Sequence, residues 1–172
     1  LWRRFWHTSI SVSTLIGLYG IFQLLGWITI NQGGVRLDAT FGNAIYLGIY
    51  MMTHLFLVAF MWQQAWRSGN YHWATGFVYG PIMVLQAFIL FFTASRGSIL
   101  GLIGGAFLSA TLLVILANHS KNAWRASIGV VVGILAVSSV FFFIRDAAWV
   151  DRIEPLHRLA QISFSENTIS SR

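Results

Sequence analysis

Of 172 residues, 56% are hydrophobic, 9% carry a formal charge and mean hydropathy is +0.68, where a soluble domain has roughly a quarter of its residues charged; an ordinary water-soluble globule is excluded. The net charge of +6 and pI near 10.5 suit membrane orientation or anionic lipid, because the basic residues are scattered over separate polar segments without the stripe or patch that nucleic acid requires. Without cysteine there are no disulfides and no thiolate metal sites.

Five apolar runs, near 9–30, 43–62, 75–94, 98–117 and 126–144, are each long enough to cross a hydrocarbon core as a helix, which takes about 20 residues at about 1.5 Å apiece. None alternates apolar and polar positions as an outer-membrane barrel strand does. The expected fold class is an all-α polytopic membrane protein. Its transmembrane helical domain covers 1–144, and 145–172 begins an external segment. The opening "LWRRFWHTSISVSTLIGLYG" has basic residues ahead of an apolar stretch, yet it is too long for a signal peptide and lacks a small-residue cleavage site. It reads as a retained span. A chain that opens on Leu1 and closes at Arg172 without a final span is expected to be a piece of something larger.

Topology follows from charge. Arg3, Arg4, Arg67, Lys121 and Arg125 fall on one face of such a bundle, and Arg36, Arg96, Arg145, Arg152, Arg158 and Arg172 on the other. Basic residues alone nearly tie, but Asp38, Asp146, Asp151, Glu154 and Glu166 all share the second face, so the acid-free face is taken as cytoplasmic. Tryptophans mark the boundaries, with Trp62, Trp66, Trp73 and Trp124 at one interface and Trp27 and Trp149 at the other. Pro81 sits a few residues into the third run, where a kink suits the span length better than a helix start. Gly97, Gly101 and Gly105 recur every four residues and predict close helix packing.

Arg96 is the conspicuous residue. It lies 29 positions after Arg67 and 25 before Lys121, so the uncharged stretch must turn once near its middle, and Arg96 is at that turn. A guanidinium at the bilayer centre costs at least about 2.5–3.5 kcal/mol, and far less at an interface. Ser95 is positioned to cap the following helix, Gly97 lets a ligand's approach to the backbone be close, and helix-start N–H groups point toward the same space. A guanidinium beside a helix start is an anion site, and a phosphate is the usual anion at a membrane face. In "VRLDATFGNAIYLGIYM", Arg36 precedes Gly42 and Asn43 at the same face, so the two arginines are placed to grip a diphosphate. The alternative is that each snorkels to headgroups or pairs with Asp38.

At these residues the sequence resembles the O-antigen ligase and O-antigen polymerase superfamily of bacterial inner-membrane proteins. "TASRGSILGLIGG" is similar to the family's Ser-Arg-Gly motif with its glycine-bearing helix, "VRLDATFGN" to its arginine-plus-Gly-Asn approach to a span, and "SENTISSR" to the beginning of its large periplasmic loop. The resemblance runs from about residue 30 to the end. It implies a multi-pass glycosyltransferase of the inner membrane, with 145–172 periplasmic, that moves a glycan from undecaprenyl diphosphate to an acceptor hydroxyl on a lipid A core sugar, a growing polysaccharide or a protein. It further implies chemistry without metal or other cofactor, with Arg36 and Arg96 holding the diphosphate and Arg172 matching a loop arginine. The family's loop histidine falls beyond Arg172.

The residues themselves offer groups suited to the same chemistry. Fixed cations stabilise a departing diphosphate electrostatically, a task that a metal performs elsewhere. Arg36 and Arg96 are the candidate catalytic groups, Ser95, Gly97 and Asn43 join them as candidate substrate contacts, and the resemblance adds Arg172. Asp38 is either a base or, the preferred reading, a salt-bridge partner orienting Arg36. Asp146, Asp151 and Glu154 match no metal-ligand spacing. His54 lies on one face with Asn43 and Tyr50, about 16 Å deep, and is expected to be neutral and bonded to a neighbouring helix. Gln23 and Gln86 are expected to join helices. A transporter or channel for an anionic solute is the alternative function, and a non-catalytic scaffold the third.

Overall fold

The computed structural model describes residues 1–32, 36–67 and 73–116, together with isolated positions at 129, 132–133 and 156. All regular structure among the described residues is helical: α1 (Trp2–Leu24), a 3-10 turn (Ala39–Phe41), α2 (Ala44–Arg67), α3 (Trp73–Phe92) and α4 (Arg96–Leu116). The fifth span expected at 126–144 and the external segment at 145–172 fall outside the described residues, those isolated positions aside. The chain forms two compact units, Leu1–Ile99 and Leu100–Arg172, with the boundary inside α4.

Local chemistry sets the helix ends. The first span was expected at 9–30, but α1 runs earlier, over Trp2–Leu24. Arginine is a good helix former and does not delay the start, while Gly26, at φ +75°, takes the left-handed conformation that ends the helix. The start of α2 has two side-chain caps. Asn43 Oδ1 accepts the Ile45 N–H at 2.8 Å, and Gln32 Oε1 accepts the Ala44 N–H at 3.2 Å, serving donors that the helix itself leaves unsatisfied. Pro81 lies inside α3 and does not open it.

One helix among the described residues, Ala44–Trp66, is long and apolar enough to cross a membrane. The apolar stretches Gly76–Phe92 and Arg96–Leu112 are shorter. Within the first unit, α2 packs most extensively on α3, and α1 lies against both. The helices alternate in direction. The end of α1, the start of α2 and the end of α3 meet at one pole, and the start of α1 meets the end of α2 and the start of α3 at the other.

This unit has an apolar core that includes Leu37, Leu47, Met51, Val58 and Ile89, yet polar groups are buried beside it and many large apolar side chains are exposed. Ser13, Gln23, Asp38, His54, Gln86, Thr93, Ser95 and Ser98 are buried, whereas Phe5, Leu15, Phe22, Ile45, Ile49, Phe77, Val84 and Phe88 are exposed. The buried polar groups join helices. Gln86 Nε2 on α3 donates to Ser13 Oγ on α1 at 2.8 Å. His54 Nε2 on α2 lies 2.9 Å from Ser9 Oγ on α1, and its Nδ1 is 2.9 Å from the Tyr50 carbonyl. A carbonyl only accepts, so Nδ1 carries a proton, and a neutral ring then receives the Ser9 hydroxyl at Nε2. This is the helix-joining histidine that the sequence led one to expect, and Gln86 is likewise a joint.

Close approach occurs on α1 and α2. A Cβ at Gly17 would lie 3.1 Å from Leu85 Cδ2, one at Gly20 3.0 Å from Ile89 Cδ1, and one at Gly48 2.5 Å from Ser98 Oγ and 3.0 Å from its Cβ. A Cβ at Gly97 would meet nothing within 4 Å, contrary to the packing role expected there. Beyond Leu100, in the second unit, α4 buries Ala110 and exposes Leu100, Ile103 and Phe107.

Gly48→Ala is expected to cost about 1–3 kcal/mol through overpacking, read as a lower midpoint of thermal unfolding in detergent. Adding Ser98→Gly should recover part of the loss. No recovery would mean that the Gly48–Ser98 approach is not what limits α2 at this point.

Candidate functional site

The pole where α1 ends, α2 begins and α3 turns into α4 collects the sequence-selected residues. Arg36 reaches it from the α1–α2 connection. Its Nε donates to the carbonyl of Thr93 at 3.1 Å, while the N–H of Leu37, next along, donates to the carbonyl of Phe92 at 3.3 Å. Carbonyls at the end of α3 have no intrahelical partners and are natural acceptors for an incoming strand of chain. Three residues after Thr93, Arg96 begins α4 and is exposed. Both arginines therefore belong to one end of the first unit, and Arg36 is half-buried against the turn from which Arg96 rises.

A clasp centred on Gln23 holds the connection in this place. Its amide nitrogen donates to Asp38 Oδ1 at 2.8 Å and to the Thr29 carbonyl at 3.0 Å, and its amide oxygen accepts the Ala39 N–H at 2.8 Å. Asp38 Oδ2 accepts the N–H of Gln32 at 2.9 Å. Asp38, which the sequence suggested would orient Arg36, thus has its fully buried carboxylate on neutral donors and organises the connection that carries Arg36. Bonds of this kind offset the cost of burying polar groups, because each lost partner leaves a desolvated charge or dipole.

The other candidates divide. Asn43 is committed to α2 through its cap on Ile45, so it builds the frame of the pole. Ser95 occupies the capping position of α4, its carbonyl accepting the Ile99 N–H at 3.1 Å, but its hydroxyl is buried and accepts from Ser98 Oγ at 3.0 Å. Gly97 is exposed beside Arg96, with open space where a side chain would be. Arg172 falls outside the described residues.

Two residues other than glycine have positive φ, Ala39 at 44° and Ala94 at 48°, among the described residues. Both are buried at this pole, Ala39 in the Gln23 clasp and Ala94 next to the carbonyl that receives Arg36. Each left-handed alanine costs on the order of 1 kcal/mol, and strain of this sort persists where surrounding contacts over-determine the backbone, often at functional sites. Nothing in the residue types of "DATFG" or "FTASR" announces an alanine in that conformation. Gln23 and Thr93 were also outside the sequence-selected set: Gln23 read as a helix joint, and a carbonyl leaves no mark in a sequence.

Comparison with protein-family models, curated proteins and solved structures finds no match to this chain.

Replacing Gln23 with Leu should leave the Ala39 N–H and one oxygen of Asp38 without donor or acceptor, at about 1–3 kcal/mol per orphaned group. In a double-mutant cycle with Asp38→Leu, the paired variant should lose less than the two single losses combined. Strict additivity in thermal unfolding would show that the clasp does not couple the two. Ala94→Gly should raise the unfolding midpoint by relieving the positive φ, and a fall would remove strain from the description of this turn.

Proposed function

We propose that this chain belongs to a multi-pass bacterial inner-membrane glycan transferase, with five spans within 1–144 and a periplasmic segment from 145. It would take its glycan from undecaprenyl diphosphate and join it to an acceptor hydroxyl on a glycan, a lipid A core or a protein. The observation that carries the reading is the bond from Arg36 Nε to the Thr93 carbonyl, which ties one guanidinium to the turn that ends at the other. Support for a membrane setting comes from the apolar helix Ala44–Trp66 and from the large apolar side chains exposed along the helices of the first unit. In hydrocarbon, exposed Phe, Leu and Ile are solvated by lipid, and helices associate through small residues and buried hydrogen bonds.

In the proposed reaction the acceptor oxygen attacks the anomeric carbon, the bond from that carbon to the diphosphate oxygen breaks, and the electron pair leaves on the diphosphate. The acceptor proton passes to a general base as the new glycosidic bond forms. Arg36 is suited to hold the diphosphate because its Nε is used by Thr93 and fixes the plane of the guanidinium. Arg96, at an exposed helix start next to a glycine, supplies a second cation where negative charge grows. Gly97 leaves the approach open, and Asn43 and Ser95 shape the two helix starts. Arg172 would join from the periplasmic segment.

A second reading, a transporter or channel for an anionic solute, draws on the polar column of half-buried Ser9 and buried Ser13, His54 and Gln86. Gln86 Oε1 in that column is buried without a hydrogen-bond partner. The Ser9–His54 and Gln86–Ser13 bonds use these groups as helix joints, which favours the transferase.

In the full-length protein, Arg96→Ala should abolish glycan transfer while membrane insertion persists. Arg96→Lys should also lose most activity, because an ammonium lacks the two-pronged geometry. Normal transfer by the alanine variant would remove Arg96 from the mechanism.

A further inference from the structure

The opposite pole of the first unit holds a cavity of about 420 Å³ between the start of α1, the end of α2 and the start of α3. Its walls are mainly apolar and aromatic: Trp2 and Trp6 from α1, Phe60 and Met61 from α2, and Tyr79 from α3. Arg3 stands among them and is exposed. Trp2 and Trp6 stack on each other with ring centroids 6.2 Å apart, and Phe5 meets Trp6 edge-on at 5.0 Å. The floor is built: Met61 and Tyr79 belong to the buried cluster with Ile10 and Val58, against which Trp6 and Trp62 pack. Beside them, Trp62 carries a buried Nε1 donor with no acceptor.

We propose that this cavity is a binding site for an anionic phospholipid, with the phosphate on Arg3 and acyl chain on the aromatic wall. The inference rests only on the membrane setting of the preceding reading and is independent of glycan transfer. Charge complementarity selects the occupant. All five acidic residues of the chain lie at position 38 or at 146 and beyond, so α1, α2 and α3 carry none, whereas Arg3 and Arg4 sit in the first turn of α1. The site is large enough for a headgroup or a length of acyl chain, within the range of about 300–1,000 Å³ typical of small-molecule pockets. Stacked tryptophans suit the boundary between hydrocarbon and headgroup, where one side of the ring system is apolar and the other wet. Arg3 is at the end of the wall, where its stem can lie on the aromatic rings and its guanidinium reach the phosphate layer.

The test uses the full chain in detergent, titrated with phosphatidylglycerol or phosphatidylcholine of identical acyl composition and read by native mass spectrometry. Phosphatidylglycerol should bind more tightly than phosphatidylcholine, and Arg3→Ala should weaken it by about fivefold, the equivalent of roughly 1 kcal/mol for one basic side chain at an anionic surface, while leaving phosphatidylcholine unchanged. Arg3→Lys should retain most of the preference, and Trp6→Ala should weaken both lipids. Arg96→Ala, at the other pole, should leave lipid binding intact even if glycan transfer is lost, so the two proposals fail separately. Equal affinity for the two lipids, or an Arg3→Ala variant that binds phosphatidylglycerol normally, overturns the proposal. A dimer dissolved by Trp6→Ala would assign the surface to a second copy of the chain and overturn it as well.

Discussion

The side-chain amide of Gln23 is the constraint on which the described pole depends. It binds three partners on a segment that has little regular structure: the Thr29 carbonyl, Asp38 and the Ala39 N–H. A glutamine suits this position because its amide offers donors and an acceptor at once. With Asp38 and Ala39 fixed to the end of α1, the two residues before Asp38 are brought along the end of α3. There Leu37 and Arg36 bond the carbonyls of Phe92 and Thr93. The arginine is thus positioned indirectly, through a buried carboxylate and a backbone held in a left-handed conformation at Ala39.

This polar construction is consistent with the way the helices meet. Where lipid surrounds a bundle, apolar side chains gain little by turning inward, and cohesion comes from close packing and from hydrogen bonds within the bundle. The first unit has contacts of that kind beside a buried apolar cluster of Ile10, Val58, Met61 and Tyr79. Ser9, Ser13, Gly17 and Gly20 lie along one face of α1 and receive His54, Gln86, Leu85 and Ile89 from its neighbours. Gly48 does the same for α2 against Ser98 and Thr93. The exposed Phe, Leu and Ile side chains of these helices are then the outer surface of the unit.

The two poles differ in kind. One is built from bonded polar groups, capped helix starts and strained alanines, with Arg36 and Arg96 associated with one turn. The other is an aromatic hollow with Arg3 at its side. In the proposed membrane setting the two poles would meet different chemistry, with the proposed diphosphate at one and the proposed phospholipid at the other. The antiparallel run of α1, α2 and α3 separates them by the length of the helices.

Hydropathy and charge spacing made much of this legible from the sequence: helices in place of strands, a turn at Arg96, a helix that continues through Pro81, a start of α2 at Gly-Asn, and a helix-joining role for His54 and Gln86. These depend on period, length and the solvation cost of individual groups, which are local properties. Tertiary structure decided the rest. That Arg36 bonds the Thr93 carbonyl, that Asp38 is buried on Gln23 and Gln32, and that the close contacts fall at Gly17, Gly20 and Gly48 and not at Gly97 all depend on which residues distant in the chain come within about 3 Å, the reach of a hydrogen bond. A carbonyl oxygen, a left-handed alanine and an interhelical gap have no residue type of their own, so only the packing of the helices brings them into being.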